Sequence, residues 1–177
     1  MQKVVSMGLT GLLLLIVALA GSSLRPAPVE TVSFFNRRCA PCHGKEGALF
    51  PEQFIKKYQH DTALIDVIKS MPGADVLNDE GLQAMAAYLR AISHEEPYII
   101  WTKQREGIIE GEFAPASATL KASAKQQSLK VERPSSNRWR IRLPANVELA
   151  DVELTAQRGT KRTTLRLKDS PYSHAQK

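Results

Sequence analysis

The two cysteines of this chain stand three positions apart, in Cys39-Ala40-Pro41-Cys42-His43, and a histidine follows the second one directly. This is the attachment pattern of a c-type haem, in which each thiol adds to one vinyl group of the porphyrin. The two-residue spacer lets one helical turn carry both sulfurs, and the histidine then becomes the proximal ligand of the iron. The motif predicts one covalently bound haem c on Cys39, Cys42 and His43.

Two other uses of a Cys-x-x-Cys pair are disfavoured by the rest of the sequence. A structural zinc ion would require two more Cys or His ligands at similar spacing, which the chain does not provide. A thioredoxin-type dithiol would require a βαβ pattern around the cysteines and would not need the histidine. With both cysteines bound to haem, none remains for a disulfide.

Met71 is the candidate for the second axial ligand of the iron. Pro72 disfavours helical geometry at the residue before it, which places Met71 in a loop between two predicted helices. A methionine opposite a histidine raises the reduction potential relative to two histidines. The alternative is a methionine that only fills space in a core. The rival distal ligands are His60 and His94, which lie beside acidic residues near predicted helix ends.

Pro51, eight residues after His43, is a candidate hydrogen-bond acceptor for the proximal histidine. A ligating imidazole usually donates its other N–H to a carbonyl or carboxylate oxygen, which fixes its tautomer. The main-chain carbonyl of Pro51 is the predicted acceptor, and an ordinary loop proline is the alternative.

Helical periodicity surrounds these residues. One helix is predicted over residues 31–43, with Phe34 or Phe35 facing a later helix. Residues 52–69 predict two helices, the second capped by Asp61 or Thr62. A further helix begins after Asn78, a favourable N-cap. Its apolar stripe consists of Leu82, Met85, Ala86, Leu89 and Ile92.

Residues 31–93 resemble a class I c-type cytochrome of the small bacterial monohaem kind. The resemblance rests on Cys39–His43, the proline soon after it, Met71-Pro72, and Asn78-Asp79-Glu80 leading into Ala86-Ala87-Tyr88-Leu89. It implies three or four helices around one haem, with one haem edge exposed and single-electron transfer as the activity. It also implies that His43 is the proximal and Met71 the distal ligand. The segment between them lacks the Gly-rich run that many members have.

The N-terminus predicts export. An apolar run from Val4 to Ala20 follows Lys3 and ends in Ala18-Leu19-Ala20, which a signal peptidase could cut before Gly21. The alternative is a retained membrane anchor, since a run of about 17 residues is at the lower limit for spanning a bilayer. Both interpretations place the chain in the periplasm or on the extracytoplasmic face of the membrane. Residues 21–30 are interpreted as a leader between this apolar run and the first predicted helix.

The second half predicts β-structure. Residues 97–116 are interpreted as a linker or packing segment, in which the apolar run Tyr98–Trp101 is either a strand or a flap packed on the haem domain. Residues 117–168 alternate apolar and polar side chains, which predicts four to six antiparallel strands in a small sandwich or meander, followed by a tail over 169–177. The predicted fold class is therefore α+β, with an all-α cytochrome c-like haem domain over 31–96 followed by a small antiparallel β domain.

Charge also differs between the halves. Residues 21–96 contain 8 Lys and Arg against 10 Asp and Glu, whereas residues 97–177 contain 15 against 8. The basic outward positions of the predicted strands either form a docking face for an acidic or membrane-bound redox partner or are a solvated face that prevents aggregation. They are Arg138, Arg140, Arg142, Lys161, Arg162, Arg166 and Lys168. Export disfavours nucleic acid as a partner, and the sequence does not define the oligomeric state.

The function predicted from the sequence is single-electron transfer between redox partners by an extracytoplasmic haem c protein that is not an enzyme. One alternative is a haem protein with an open distal site that binds a small ligand or peroxide. Another is a β binding or assembly module with an accessory haem domain. No phosphate-binding loop, Ser/His/Asp set or paired-carboxylate motif stands out in the sequence.

Overall fold

The computed structural model describes residues 24–51 and 53–173, so the predicted signal sequence over residues 1–20 lies outside the described part. Within these ranges the chain forms five α-helices followed by eight β-strands. The helices are α1 (Thr31–Arg38), α2 (Ala40–His43), α3 (Phe54–Lys57), α4 (Asp61–Lys69) and α5 (Asp79–Ser93), and 3-10 turns occupy Lys45–Gly47 and Leu149–Asp151. Among the described residues, no helix has the length and apolar character needed to span a bilayer.

The strands form two antiparallel sheets of four strands each. They are β1 (Tyr98–Arg105), β2 (Ile108–Ala114), β3 (Thr119–Ala124), β4 (Gln127–Leu129), β5 (Val131–Ser135), β6 (Arg138–Arg142), β7 (Val152–Arg158) and β8 (Lys161–Arg166). One sheet has the order β1-β2-β6-β5 and the other β4-β3-β7-β8. Residues 97–116, interpreted from the sequence as a linker or packing segment, contain β1 and β2.

The predicted fold class, an all-α cytochrome c-like haem domain followed by a small β domain, is wrong. The identification of residues 31–93 as a class I c-type cytochrome is wrong for the same reason. The helical part is small, and most of the regular structure belongs to the two antiparallel sheets. Six strands, β3–β8, lie within residues 117–168, in agreement with the four to six that the sequence predicts there. The helices do not form an all-α unit of their own, because their core includes residues of the first sheet.

Strand β1 lies between two hydrophobic cores. Tyr98 and Ile100 belong to the cluster formed by the helices, whereas Ile99 and Trp101 belong to the cluster between the two sheets. All four side chains are fully buried. Successive side chains of a strand point to opposite faces, so one continuous apolar run supplies both cores. The Tyr98 hydroxyl donates to the Ala84 carbonyl in α5 at 3.1 Å, which attaches the strand to the helices.

The local sequence explains where α5, the longest helix of the helical core, begins. The Asn78 side chain accepts a hydrogen bond from the Gly81 N–H at 2.9 Å, which confirms the predicted N-cap of α5. The Phe35 ring lies 5.2 Å from the Tyr88 ring of α5 in an edge-to-face arrangement, so the prediction that Phe34 or Phe35 faces a later helix is also confirmed. The helix predicted over residues 31–43 is broken at Cys39 into α1 and α2.

Segments near both ends of the described residues form hydrogen bonds with β1. The Ala27 N–H donates to the Trp101 carbonyl at 2.8 Å, and the Trp101 N–H donates to the Pro171 carbonyl at 2.7 Å. The Ser173 N–H donates to the Ile99 carbonyl at 2.8 Å. Residues 171–173, placed by the sequence analysis in a C-terminal tail, therefore cover the outer edge of β1.

Candidate functional site

The cysteines and the histidine lie on the short helical turn that follows α1. The Cys39 N–H donates to the Phe35 carbonyl at 2.8 Å, and the His43 N–H donates to the Cys39 carbonyl at 2.9 Å, so main-chain hydrogen bonds connect the turn to the end of α1. Both thiols are free. Cys39 is half-buried and Cys42 is exposed. One helical turn therefore carries both sulfurs and the imidazole, as the spacing of the motif requires.

This turn forms one wall of an apolar cavity. Met71 and Pro72, from the loop after α4, line the same cavity, so the structure brings Met71 together with the Cys39–His43 motif. The remaining lining is apolar apart from Arg38, and it comes from α1, α3, α4, α5 and the segments before α3 and α5. It includes Phe34, Phe35, Phe50, Phe54, Ile68, Leu77, Met85 and Leu89.

The cavity fits a covalently held porphyrin by its chemistry more closely than by its size. Two free thiols, an imidazole and a thioether lie on an apolar lining, which is the donor set of a c-type haem. The cavity volume is about 120 Å³, below the roughly 300–1,000 Å³ of typical ligand sites. A porphyrin held there would extend partly into solvent, because Met71 and Cys42 are exposed, or it would move the walls of this small cavity apart.

The geometry does not form a site for a metal ion held by side chains alone. Within residues 24–51 and 53–173, no three His, Cys, Asp or Glu side chains come together as potential ligands. This finding also counts against the class I cytochrome identification. An iron held by four porphyrin nitrogens, however, needs only axial ligands from the protein. Burial, and secondly the neighbouring Cys42, raise the pKa of the Cys39 thiol, so this sulfur stays protonated at neutral pH.

Pro51 lies outside the cavity. It is exposed, and its carbonyl accepts a hydrogen bond from the Phe54 N–H at 2.8 Å at the start of α3. Pro51 lines a neighbouring cleft instead. A carbonyl oxygen has a second lone pair, so its predicted hydrogen bond with the imidazole of His43 stays a prediction.

The sequence analysis missed the aromatic residues beside the histidine. The Phe50 ring lies 5.0 Å from the His43 ring and is stacked on the Phe54 ring at 4.5 Å. Phe50 and Phe54 also line the neighbouring cleft, so they separate it from the cavity. Their position restricts the orientations open to the imidazole. The only signal in the sequence was their place on either side of Pro51.

The rival distal ligands do not line this cavity. His60 is the N-cap residue of α4 and His94 is the C-cap residue of α5, and both are exposed. The main-chain carbonyl of His94 accepts a hydrogen bond from the Lys161 ammonium. Of the candidates named from the sequence, Met71 is the one that shares the cavity with His43.

The basic strand positions do not form one continuous face. Arg138 and Arg140 are on β6 in the first sheet, whereas Arg166 is on β8 in the second. Each of the three pairs with a carboxylate, at 2.6 Å to Glu30, 2.5 Å to Glu110 and 2.9 Å to Glu153 respectively. Part of the positive charge that suggested a docking face is thus neutralised within the chain.

A second residue missed by the sequence analysis is Glu112 of β2, which is 1% exposed. Its carboxylate accepts a hydrogen bond from the Val32 N–H at 2.9 Å and from the Ser33 N–H at 3.2 Å. The Ser33 hydroxyl donates to it as well. Glu112 therefore caps the N-terminus of α1, the helix that leads into Cys39, across 80 positions of sequence.

No protein-family model matches this chain, and no curated protein matches it at a significant level. Function is therefore inferred from the residues and the geometry of the cavity.

Proposed function

We propose that this protein carries single electrons by means of one haem c, attached through Cys39 and Cys42 and ligated by His43 and Met71. The observation that supports this most strongly is that both thiols, the imidazole and the thioether line one apolar cavity. A chance association of a Cys-x-x-Cys-His motif with a methionine across an apolar cavity is a poor alternative explanation.

The haem, when bound, supplies an iron that cycles between Fe(II) and Fe(III). The chain's own residues would fix and tune it. The two cysteines would prevent its dissociation, His43 and Met71 would each provide a ligand to its iron, and Phe50 beside the imidazole limits the rotation of that ring. An apolar lining excludes water and favours the iron state of lower charge, which raises the reduction potential.

Location and partners are part of the same proposal. The apolar run over residues 4–20 is interpreted as a secretory signal, retained or cleaved, which places the protein in the periplasm or on the extracytoplasmic face of the membrane. Its partners would be redox proteins, acidic or membrane-bound. Electron transfer changes no covalent bond of a substrate, so we propose a carrier rather than an enzyme.

The test is expression in a bacterial host able to mature c-type cytochromes. The purified protein should be red, and its haem should stay with the polypeptide after denaturation and solvent extraction. A double variant, Cys39→Ala with Cys42→Ala, should lose the covalent haem. A wild-type chain that emerges folded but colourless from such a host contradicts the proposal.

A second candidate, a haem protein with an open distal site, is favoured by one observation, the 37% exposure of Met71. The variant Met71→Ala separates the two. In a carrier this substitution should abolish the low-spin haem spectrum and lower the reduction potential. In a protein with an open distal site, both the spectrum and the potential should scarcely change. Met85→Leu is the matched control, because Met85 is a buried methionine of the same cavity that lies on a regular helix.

A further inference from the structure

Glu112 is a buried carboxylate that contacts the helix leading to the proposed haem, and the proposed function leaves it without a role. It lies on the face of the first sheet that packs against α1, and its partners are the N–H groups of Val32 and Ser33 in the first turn of that helix and the Ser33 hydroxyl. Its own main-chain carbonyl accepts from the Trp139 indole at 3.1 Å, which holds the residue in the sheet. Hydrogen bonds from α1 to the side chain and from Trp139 to the main chain therefore fix the position of the carboxylate.

The groups around Glu112 differ in their ability to change charge. Glu30, before α1, pairs with Lys103 at 2.9 Å and with Arg138 at 2.6 Å. Burial opposes ionisation of Glu30, but the hydrogen bonds and charges of these two cations lower its pKa overall, so it stays ionised. Tyr98 on β1 and Tyr88 on α5 have pKa values raised mainly by burial, so both stay neutral.

Glu112 itself has no cation within ion-pair distance among the described residues. Burial raises the pKa of its carboxyl above the usual value, and the hydrogen bonds from Ser33 and Val32 offset this only in part. Of the groups in this polar cluster, Glu112 is thus the one whose charge can change at a pH above the ordinary glutamate range.

Resting on the proposed function, we propose that Glu112 is a redox-linked proton-binding site, which takes up a proton when the haem at the other end of α1 is reduced. The eight residues of α1 span about 12 Å, and Cys39 follows its last residue directly. Buried charges are screened much less than exposed ones at such a distance. An oxidised iron therefore favours the ionised carboxylate more strongly than a reduced iron does.

The balance of the step is simple. A one-electron donor reduces Fe(III) to Fe(II), and the carboxylate of Glu112 binds a proton from solvent, so that part of the charge brought by the electron is compensated. The half-buried Ser33 hydroxyl donates to the ionised carboxylate and can rotate to accept from the protonated form. The N–H groups of Val32 and Ser33 keep an acceptor oxygen in both states.

The test is the midpoint potential of the haem-loaded protein, measured by spectroelectrochemistry with the ferricyanide couple and further mediators, over about pH 4–9. The wild-type potential should fall as the pH rises above the ordinary glutamate range. Glu112→Gln, which keeps the shape and one acceptor oxygen, should remove this fall and have the higher potential at alkaline pH. Glu110→Gln is the matched control, since it removes a charge from the same strand at a less buried position paired with Arg140, and it should keep the slope.

Three further measurements keep the test decisive if Glu112→Gln does not fold. Reduction of unbuffered wild-type protein should be accompanied by proton uptake, and an infrared difference spectrum should show a new protonated carboxyl band on reduction. In cofactor-free protein, stability should fall as the pH rises through the Glu112 titration, because a carboxyl with a raised pKa binds more protons folded than unfolded. A pH-independent potential in haem-loaded wild type, or an unchanged slope in Glu112→Gln, overturns the inference. Absence of covalent haem contradicts the proposed function instead.

Discussion

The placement of β1 between two cores predicts that the helices and sheets unfold as one cooperative unit. The perturbation that tests this is Leu64→Ala in α4, far along the chain from the strands and fully buried in the helical core. Substitutions of buried leucine by alanine cost about 2.7–5 kcal/mol, and we take ~3 kcal/mol here. Since each 1.4 kcal/mol is tenfold in an equilibrium constant, the opening equilibrium should rise by ~10²-fold.

The assay is native-state hydrogen exchange of the haem-loaded protein, resolved by peptide. The slowest amides of β7, which lies in the second sheet and makes no part of the helical core, should exchange ~10²-fold faster in Leu64→Ala. The reciprocal control is Leu154→Ala, a fully buried leucine of β7, which should speed exchange in α5 by a similar factor. If each substitution accelerates only its own half, the two halves are independent and the shared-core argument fails.

Two other predictions concern local geometry and chemistry. Gly111→Ala should destabilise the fold by about 3 kcal/mol or more in urea unfolding, because an added Cβ would lie 1.9 Å from the Ile100 carbonyl oxygen and 2.5 Å from the Trp139 ring. The control Gly107→Ala meets no atom within 4 Å and should cost only the ~1–2 kcal/mol of its positive φ, so equal losses would contradict the packing argument. In cofactor-free protein at neutral pH, iodoacetamide should alkylate exposed Cys42 faster than half-buried Cys39, because the pKa of the Cys39 thiol is raised. Mass spectrometry can follow alkylation of each cysteine at a series of pH values. The difference in rate between the two cysteines should become smaller in alkali.

The helix α5 and the strands after β2 could be predicted because their signals are local. Asn78 with two acidic residues after it is an N-cap that acts within one turn. The alternation of Trp139 and Ile141 in β6 reflects one buried face, so a period of two is visible in the sequence. The attachment motif is local in the same sense, since five consecutive residues place two sulfurs and an imidazole on one turn.

The fold class could not be predicted because the deciding contacts are remote in sequence. Tyr98–Trp101 has no alternation, since both faces of β1 are buried in different cores, so the run by itself does not distinguish a strand from a flap packed on the helices. The role of Glu112 depends on an N-cap contact over 80 positions. Neither propensity nor spacing encodes a contact of that range.

The edge of β1 is closed by residues 171–173, which lie beyond the last strand of the chain. During synthesis the Cys39–His43 turn leaves the ribosome long before that edge can close, so the helical core stays incomplete until more than a hundred further residues have followed. Over that interval both thiols are presented on a chain whose final packing has not formed. Until residues 171–173 reach β1, half-buried Cys39 therefore belongs to an incompletely packed chain, whereas Cys42 is exposed in the finished fold as well.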